Sequence, residues 1–295
     1  MSEHEEHRTA MSRRRVLAAG ALAAAGVAQA GLWPSRASAA AKPAIFYSPH
    51  QDDEAIGMAG SIMQHKAAGR PVYLVLVSLG VNGELAEIMN QGRCTRLGAK
   101  CASPSDYHNL GWPTDGTSMV VPARNAEFRA SAKALGVDKI IMWKLAEDPY
   151  NKAVDKITAK VKALAEQYPG ASHKFAAGWM DILPGQRPSP THKACSDAAY
   201  RLMNDGTLTD VRFNHIYGYS LPMNERGRGA AYVLNIPDSH MRAKRNALYA
   251  YNTWDPDRNL YALGYHSVDF MMEGAHYDAR EFVYTLPSNY RPGKP

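Results

Sequence analysis

The sequence predicts an α/β protein with a Rossmann-like, three-layer arrangement in which helices cover a mostly parallel sheet. Two short apolar runs, residues 44–48 and 72–77, flank a segment whose apolar residues recur at helical spacing. The second run is continuous and rich in β-branched residues, which is typical of a strand covered on both faces. A strand–helix–strand unit of this kind implies parallel strands joined by a right-handed crossover.

The first unit is the best defined part of the predicted fold. A strand over residues 44–48 leads into a helix from Asp53 to about Ala68, which Gly69-Arg70-Pro71 ends. Residues 80–122 follow the second strand and are polar and Gly-containing. A connection of this length is uncommon, so we expect a functional or disulfide-tied loop there.

The remaining elements continue the alternation of helix and strand. Further helices are predicted over residues 124–135, 154–167 and 192–202, and further strands over residues 139–143 and 174–179. After residue 213, short aromatic-rich runs predict strands and loops, with one helix near residues 243–251. Since no convincing linker divides residues 40–295, we predict one domain over that range.

Residues 1–39 have the three parts of a signal peptide. Arginines 13–15 precede an Ala-rich apolar run to about Trp33, and Ala37-Ser38-Ala39 is a small-residue cleavage pattern. Paired arginines directly before the apolar run indicate the twin-arginine export machinery. The alternative is an uncleaved anchor, since the run is about 18 residues long and could just span a bilayer. The nearby cleavage pattern favours a secreted protein with no stable membrane span.

Charge and cysteine content narrow the class of protein further. The net charge is +6, but the sequence has no block of Lys and Arg typical of a nucleic-acid-binding surface. No nucleic-acid partner is therefore expected. Export permits disulfides, and Cys94 and Cys101 are the candidate pair. Cys195 is then expected to be a free, buried thiol.

The most informative segment is Pro-His-Gln-Asp-Asp-Glu, residues 49–54, directly after the first strand. Ligands of open α/β sheets bind outside the carboxyl ends of strands. His50 and Asp53 flank the turn into the helix and can share one metal ion, and zinc accepts both ligand types. Asp52 lies between them and can act as general base towards a water molecule. The alternative is a group of N-terminal helix carboxylates with an incidental histidine.

The residues alone leave the third metal ligand open among the chain's eleven histidines. His192 opens a predicted helix after a loop and could face the same end of the sheet. The other candidates read more simply as surface or structural histidines.

Several motifs resemble those of the PIG-L / LmbE-like family, which includes GlcNAc-phosphatidylinositol, mycothiol-precursor, chitooligosaccharide and glycopeptide-antibiotic deacetylases. Residues 49–54 resemble its Pro-His-Pro-Asp-Asp-Glu signature, and Gly83-Glu84 its Gly-Glu. Residues 124–127, followed by Leu-Gly-Val at 135–137, resemble its Arg-x-x-Glu helix. Ser-Pro-Thr-His at 189–192 falls on its His-Pro-Asp-His motif. The resemblance covers roughly residues 43–203.

This resemblance implies a zinc-dependent N-deacetylase that releases acetate from an N-acetylglucosamine-type sugar or glycoconjugate. It assigns His50, Asp53 and His192 as ligands of one Zn²⁺, although other divalent metals remain possible. It also assigns Asp52 as the base and Arg124 as a substrate contact. The simpler role for Arg124 is a salt bridge, with Glu127 as the candidate partner.

Two residues depart from the family pattern. Gln51 replaces a proline, which a turn should tolerate. Ser189 replaces a histidine that in the family assists near the oxyanion or the leaving group, and His266 is a candidate substitute. Two other functions therefore stay open: a non-catalytic, metal-dependent sugar-binding protein, and a zinc amidase acting on a non-sugar N-acyl substrate. A binding protein has no need of the base Asp52, which favours an enzyme.

Overall fold

The computed structural model describes residues 41–91, 93–94, 99–100, 108–146, 148–183 and 185–295. Its strands are β1 (Ala44–Ser48), β2 (Val72–Ser78), β3 (Arg93–Cys94), β4 (Ala99–Lys100), β5 (Lys139–Leu145), β6 (Ser172–Ala176), β7 (Val211–Asn214), β8 (Tyr232–Asn235), β9 (Trp254–Asp255), β10 (Leu260–Tyr261) and β11 (Arg280–Tyr284). Its α-helices are α1 (Ala59–Ala67), α2 (Gly83–Asn90), α3 (Val120–Ala134), α4 (Tyr150–Gln167), α5 (Pro190–Asn204), α6 (Asp238–Ala250) and α7 (Leu263–Tyr277). Shorter helical turns cover Glu54–Met58, Tyr217–Ser220 and Pro256–Arg258.

The main sheet has seven strands in the order β5-β2-β1-β6-β7-β11-β8. The first five are parallel, whereas β11 runs antiparallel to both β7 and β8. The prediction of an α/β fold with a mostly parallel sheet is therefore confirmed. β1 lies between β2 and β6, and all five of its residues are buried.

Helices pack on one another in two groups on the sheet. α4 packs on α5, whereas α6 packs on α1 and α3. In the core between them, the Tyr47 ring stacks on Phe175 with centroids 4.4 Å apart, and both side chains are fully buried. Burial of large aromatic and aliphatic side chains supplies most of the driving force for such a layered fold. The three-layer arrangement makes β1 a central, rigid support for whatever follows it.

Two predictions about elements were wrong. The segment predicted as a long loop contains α2, which begins where the Asn82 side chain accepts a hydrogen bond from the amide of Leu85 at 3.2 Å. Near the C-terminus α7 occupies a region predicted to hold only strands and loops. The backbone torsions of Val268 are non-helical and interrupt α7. The apolar residues of this helix therefore do not keep one continuous helical spacing.

Some sequence predictions concern residues outside the described ranges. Residues 1–39 and Cys101 are among them, so the signal peptide and the Cys94–Cys101 pair stay predictions. Cys195 is a free, buried thiol, as predicted. Within the part of the chain that is described, no helix combines the length and the apolar character that a membrane span requires.

Candidate metal centre

The turn after β1 carries the first motif to the carboxyl edge of the sheet. The Ser48 hydroxyl donates to the carbonyl of His50 at 2.7 Å, and the His50 amide donates to Asp53 Oδ2 at 2.8 Å. These bonds fold the chain back on itself, so the side chains of His50 and Asp53 lie side by side. The predicted helix starts here as a π-helical turn, Glu54–Met58, before α1 continues it.

His50, Asp53 and His192 converge at this edge, with one ligand atom from each within 4.8 Å of the others. His50 Nδ1 lies 3.2 Å from His192 Nε2, and Asp53 Oδ2 lies 3.4 Å and 3.1 Å from these two atoms. Tetrahedral zinc with bonds of about 2.0–2.1 Å holds its ligand atoms about 3.3 Å apart. The three side chains therefore fit a zinc ion with a fourth position open.

A buried carboxylate orients His192 for this role. His192 Nδ1 donates to Asp181 Oδ2 at 2.7 Å, which leaves Nε2 free to face the other two ligands. Both side chains are fully buried. Metal-binding histidines commonly hold a carboxylate in this way, because the bond fixes the tautomer and raises ligand basicity. Asp181 was not among the site residues predicted from sequence, although it follows β6, the strand next to β1.

The electrostatics of the three side chains favour a bound cation. Burial lowers the pKa of His192, but the carboxylates of Asp53 and Asp181 outweigh it and raise the pKa to about 10. For Asp53 the effects have the opposite sign. Burial raises the pKa of this carboxyl, but the imidazoles of His192 and His50 have the larger effect and lower it. Without a metal, this arrangement holds a proton on His192. A divalent cation can take the place of that proton.

Asp52 occupies a strained position between the two ligands of the turn. Its φ of +108° is far from the regions that non-glycine residues prefer, which costs about 1–3 kcal/mol. Its amide donates to the Tyr251 hydroxyl at 2.9 Å, and its Oδ2 accepts from Arg124 Nη2 at 3.2 Å. Burial raises the pKa of Asp52, and the charge of Arg124 opposes that rise. Strain held by buried partners in this way is characteristic of functional sites.

Arg124 pairs with Asp52 and not with Glu127, so the predicted Arg124–Glu127 salt bridge is wrong. Its Nη2 also donates to the carbonyl of Gln51 at 3.0 Å, and its Nη1 to that of Gly80 at 3.1 Å. Glu127 points the other way and accepts the amides of Leu263 at 2.7 Å and Gly264 at 3.2 Å. Arg124 is buried, yet it lines the cavity at the metal site.

Gln51, which stands where the family has proline, ties the turn to its neighbours. Its amide donates to the carbonyl of Leu79 and to Asn125 Oδ1, both at 3.1 Å. A methyl group on Gly80 would lie 2.1 Å from Gln51 Oε1, and Gly80 has a φ of +79°. The turn after β1 and the loop after β2 are thus closely fitted to each other.

Tyr217 is the residue that lies beside the candidate metal site, whereas the sequence suggested His266 for this place. Its ring centroid is 4.9 Å from that of His192, and its amide donates to Asp181 Oδ1 at 2.9 Å. Burial raises the pKa of its phenol, which also contacts the hydroxyl of Ser189. His266 is not among the described residues lining the cavities here; its Nδ1 lies 2.7 Å from the carbonyl of Ala262.

Two cavities meet at His50, Ser78 and Thr191. The smaller, of about 210 Å³, is polar and contains Asp52, Asp53, Arg124 and Tyr217. The larger, of about 460 Å³, is mostly apolar, and its walls come from β2, β5, α4 and α5. It is lined by His50, Val77, Ser78, Leu145, Ala146, Asp148, Pro149, Tyr150, Ala153, Ile157, Ser189, Pro190, Thr191, Ala194 and Lys294.

The family model described as "PIG-L: GlcNAc-PI de-N-acetylase" matches residues 45–203, which contain all three ligands, Asp52 and Arg124. Comparison with curated protein sequences gives no significant match.

Solved structures share the fold at low sequence identity. A deacetylase of the teicoplanin biosynthetic pathway, as a triple mutant, is 14% identical with a TM-score of 0.56, covering 84% of this chain and 100% of that one. The A40926 pseudoaglycone deacetylase Dbv21 is 18% identical with a TM-score of 0.51, covering 82% and 95%. GalB, the 4-carboxy-2-hydroxymuconate hydratase of Pseudomonas putida KT2440, is 14% identical with a TM-score of 0.51, covering 86% and 100%. Since one fold carries different reactions, function must be argued from the site.

Proposed function

Since the chain belongs to the PIG-L family, we propose that it is a zinc-dependent N-deacetylase acting on an N-acetylglucosamine-type sugar or glycoconjugate. The observation that carries the proposal is the convergence of His50, Asp53 and His192 on one point, with the carboxylate of Asp52 in the same cavity. Three protein ligands with an open fourth position are the arrangement of a catalytic zinc site, whereas structural zinc sites have four.

Each residue of the polar cavity has a distinct part in amide hydrolysis. When bound, zinc lowers the pKa of water and polarises a carbonyl group. Asp52 accepts a proton from the attacking water molecule and returns it to the nitrogen of the departing amine. Such general acid–base help contributes about 10²–10⁴-fold to the rate. The products are acetate and a free amino sugar.

Arg124 favours the ionised, basic form of Asp52. Burial and the neighbouring carboxylates of Asp53 and Glu54 raise the pKa of Asp52 well above its usual value, and a protonated carboxyl cannot act as a base. The guanidinium 3.2 Å from Oδ2 opposes that effect and fixes the carboxylate in one orientation. We therefore assign Arg124 first to positioning the base and second to contacting substrate from the cavity wall.

Tyr217 can supply the hydrogen bond that the family histidine replaced by Ser189 provides. Its phenol lies in the polar cavity, and the raised pKa keeps it protonated as a donor. A fixed donor of this kind stabilises negative charge that develops on a carbonyl oxygen. This role requires no movement of His266 towards the site.

The larger cavity favours a second candidate within the same reaction class. Its apolar walls begin at His50 and offer far more room than the methyl group of an acetyl needs. An amide with a longer apolar acyl group could lie there while its amine side occupies the polar cavity. The second candidate is therefore a zinc amidase on a non-sugar or long-chain N-acyl substrate.

We further propose that residues 1–39 direct the protein out of the cytoplasm by the twin-arginine route. The support is the order of arginines 13–15, the apolar run and Ala37-Ser38-Ala39. Such a location favours an extracytoplasmic glycan or metabolite as substrate. Replacing the three arginines by lysine should leave the uncleaved protein in the cytoplasm, and unchanged export would contradict the proposal.

The test is a substrate panel with zinc-loaded protein. Acetate release from N-acetylglucosamine, N,N′-diacetylchitobiose and N-acetylglucosamine glycosides supports the deacetylase, with the Asp52→Asn protein as control. Faster release of hexanoate or octanoate from matched N-acyl amines favours the second candidate. Sugar binding by the wild-type protein with no hydrolysis of any substrate would leave the metal-dependent binding protein as the function.

A further inference from the structure

A third cavity, of about 470 Å³, lies between α1 and the strands β6, β7 and β11. We call it the basic cavity; it is lined by Ser61, Gln64, His65, Arg70, Ser172, Lys174, Asp210, Arg212, Asn214, Ala231, Tyr232, Val283 and Thr285. It shares no lining residue with either cavity at the metal centre. Nothing in the proposed hydrolysis uses it.

The basic cavity has three cationic side chains and one carboxylate. Lys174 and Arg212 are direct register partners on the neighbouring parallel strands β6 and β7, and both line the cavity. Arg70 is the third cation, and Asp210 is the only acidic side chain among the lining residues. Like charges on directly paired residues of adjacent strands destabilise a sheet. This arrangement therefore has a cost that a bound anion would relieve.

Lys174 is the central residue of the basic cavity. Its side chain is only 9% exposed, and its Nζ lies 3.9 Å from Asp210 Oδ1, beyond hydrogen-bonding distance. Across the described ranges it has no hydrogen-bond acceptor. Asp210 pairs with this charge, but at a separation that leaves the ammonium without a direct hydrogen bond, which a largely buried ammonium group normally has. The ammonium can therefore take a further acceptor from a molecule in the cavity.

Other groups in the basic cavity offer donors. Asn214 is fully buried; its Oδ1 accepts from the Ser61 hydroxyl at 3.1 Å, while its Nδ2 has no acceptor in the described structure. Arg70 is held by main-chain carbonyls, with Nε 3.0 Å from that of Lys42. Burial and the charges of Lys174 and Arg70 lower the pKa of His65 to about 4, so that imidazole is neutral near neutral pH.

We propose that the basic cavity binds a phosphate group, either as free phosphate or on a phosphorylated glycan. A doubly charged oxyanion matches the excess of positive charge, and its several oxygens can accept from Lys174, Arg212 and Asn214 together. The cavity has the volume of an ordinary small-molecule site. This inference is independent of the hydrolytic function, because the two sites have no residue in common.

The test reads the site directly at Lys174. Burial lowers the pKa of Lys174 to about 8, against the influence of Asp210, so an amine-reactive reagent should label it at mildly alkaline pH. At a phosphate concentration about ten times its Kd, labelling of Lys174 should slow about tenfold, because roughly one protein in ten stays free. Labelling of Lys162, an exposed lysine on α4, should not change. Peptide mass spectrometry of the zinc-loaded protein measures both residues.

Chloride at matched ionic strength controls for general screening of charge by salt. Phosphate that binds the zinc ion instead cannot protect Lys174, because the two sites share no residue. Equal protection by chloride, or none by phosphate, would overturn the proposal. By calorimetric titration with phosphate, Asp210→Asn should bind more tightly and Arg212→Ala more weakly, whereas Lys162→Met should bind as wild type. Unchanged affinity in both cavity variants would also overturn it. Tighter binding of glucosamine 6-phosphate than of inorganic phosphate would identify a phosphorylated glycan as the ligand. Equal binding of the two would identify free phosphate as the ligand.

Discussion

Asp52 adopts a left-handed backbone conformation in the turn that also carries two of the three proposed metal ligands. Tyr251, directly after α6, and Arg124 from α3 hold it there through its amide and its carboxylate. Both partners are distant in sequence, so no local pattern could have revealed this geometry. Asp52 is predictable from its place between His50 and Asp53, whereas the buried network that positions it is visible only in the structure.

Replacement of Asp52 by asparagine tests the base. The amide cannot accept the proton of water, so kcat should fall by about 10²–10⁴-fold while zinc content stays unchanged. Acetate release and metal analysis measure the two effects. Asp53→Asn is the matched control, because it should lose zinc. An Asp52→Asn protein with normal turnover would remove Asp52 from the mechanism.

Replacement of Tyr217 by phenylalanine tests the proposed donor. The variant keeps the aromatic ring beside His192 and loses only the hydroxyl, so kcat should fall by about 10²–10³-fold with KM and zinc content unchanged. Tyr249→Phe, at an exposed tyrosine of α6, should behave as wild type. Equal kcat in the two variants would show that the hydroxyl has no catalytic part.

A methyl group at Gly178 should disturb the third ligand. The added Cβ would lie 2.2 Å from the main-chain carbon of His192, so α5 must shift at its first turn. We expect Gly178→Ala to lower zinc occupancy while the overall fold is kept. Gly83→Ala is the control, since its methyl group would meet only a carbonyl oxygen, at 3.2 Å. Metal analysis with a circular dichroism spectrum decides between displacement and unfolding.

At the scale of the elements, the alternation of strands and helices could be predicted from the sequence, because the spacing of apolar residues differs between the two. β1, β2, β5 and β6 were all predicted close to their observed positions. α2 and α7 were missed because one is short and polar-capped and the other is interrupted at Val268. Asp181 and Tyr217 follow the carboxyl ends of β6 and β7, so attention to strand ends could have found them.

A buried ion pair joins three elements and should dominate local stability. Lys244 of α6 lies 3.1 Å from Glu281 of β11, and the same carboxylate accepts the amides of Gly60 and Ser61 at the start of α1. Lys244→Met leaves Glu281 charged and unpaired, which should lower the free energy of unfolding by about 3–5 kcal/mol. Urea denaturation of the zinc-loaded protein measures the change.

The control for this prediction is Lys152→Met, which removes an exposed lysine from Asp148, leaves that carboxylate paired with Lys156, and should cost about 0–1 kcal/mol. Adding Glu281→Gln to Lys244→Met should recover part of the loss, because no charge is then left buried. Equal losses from Lys244→Met and Lys152→Met would show that the buried pair adds nothing to stability.

For the whole molecule, the proposed zinc ion would link parts of the chain that are far apart in sequence. His50 and His192 are separated by 142 positions, so a bound zinc ion ties the turn after β1 to α5. Removal of zinc by a chelator should lower the stability of the folded state, by about 2.7 kcal/mol where zinc had been present at a hundredfold excess over its Kd. Sequence alone could suggest these ligands but not their separations, because the layered packing sets them.

The affinity for zinc should depend on pH through His192. Its pKa in the metal-free protein is raised to about 10, so zinc must displace a proton, and affinity should fall about tenfold per pH unit below that value. The same shift affects the stability of the metal-free protein. Protonated His192 makes its full contribution to stability at pH values below its ordinary pKa of 6.5. That contribution is lost as the pH rises towards about 10. Calorimetric zinc titrations at several pH values measure the proton release. An affinity independent of pH would contradict it.

The meeting of two cavities at His50 has a consequence for turnover. A scissile bond held at that junction would place its two fragments in different cavities. Neither fragment then has to wait for the other, so departure should follow a random order. Carboxylate and amine added from outside should accordingly both inhibit competitively with substrate, each occupying its own half of the cleft, whereas a noncompetitive pattern for one of them would indicate ordered release.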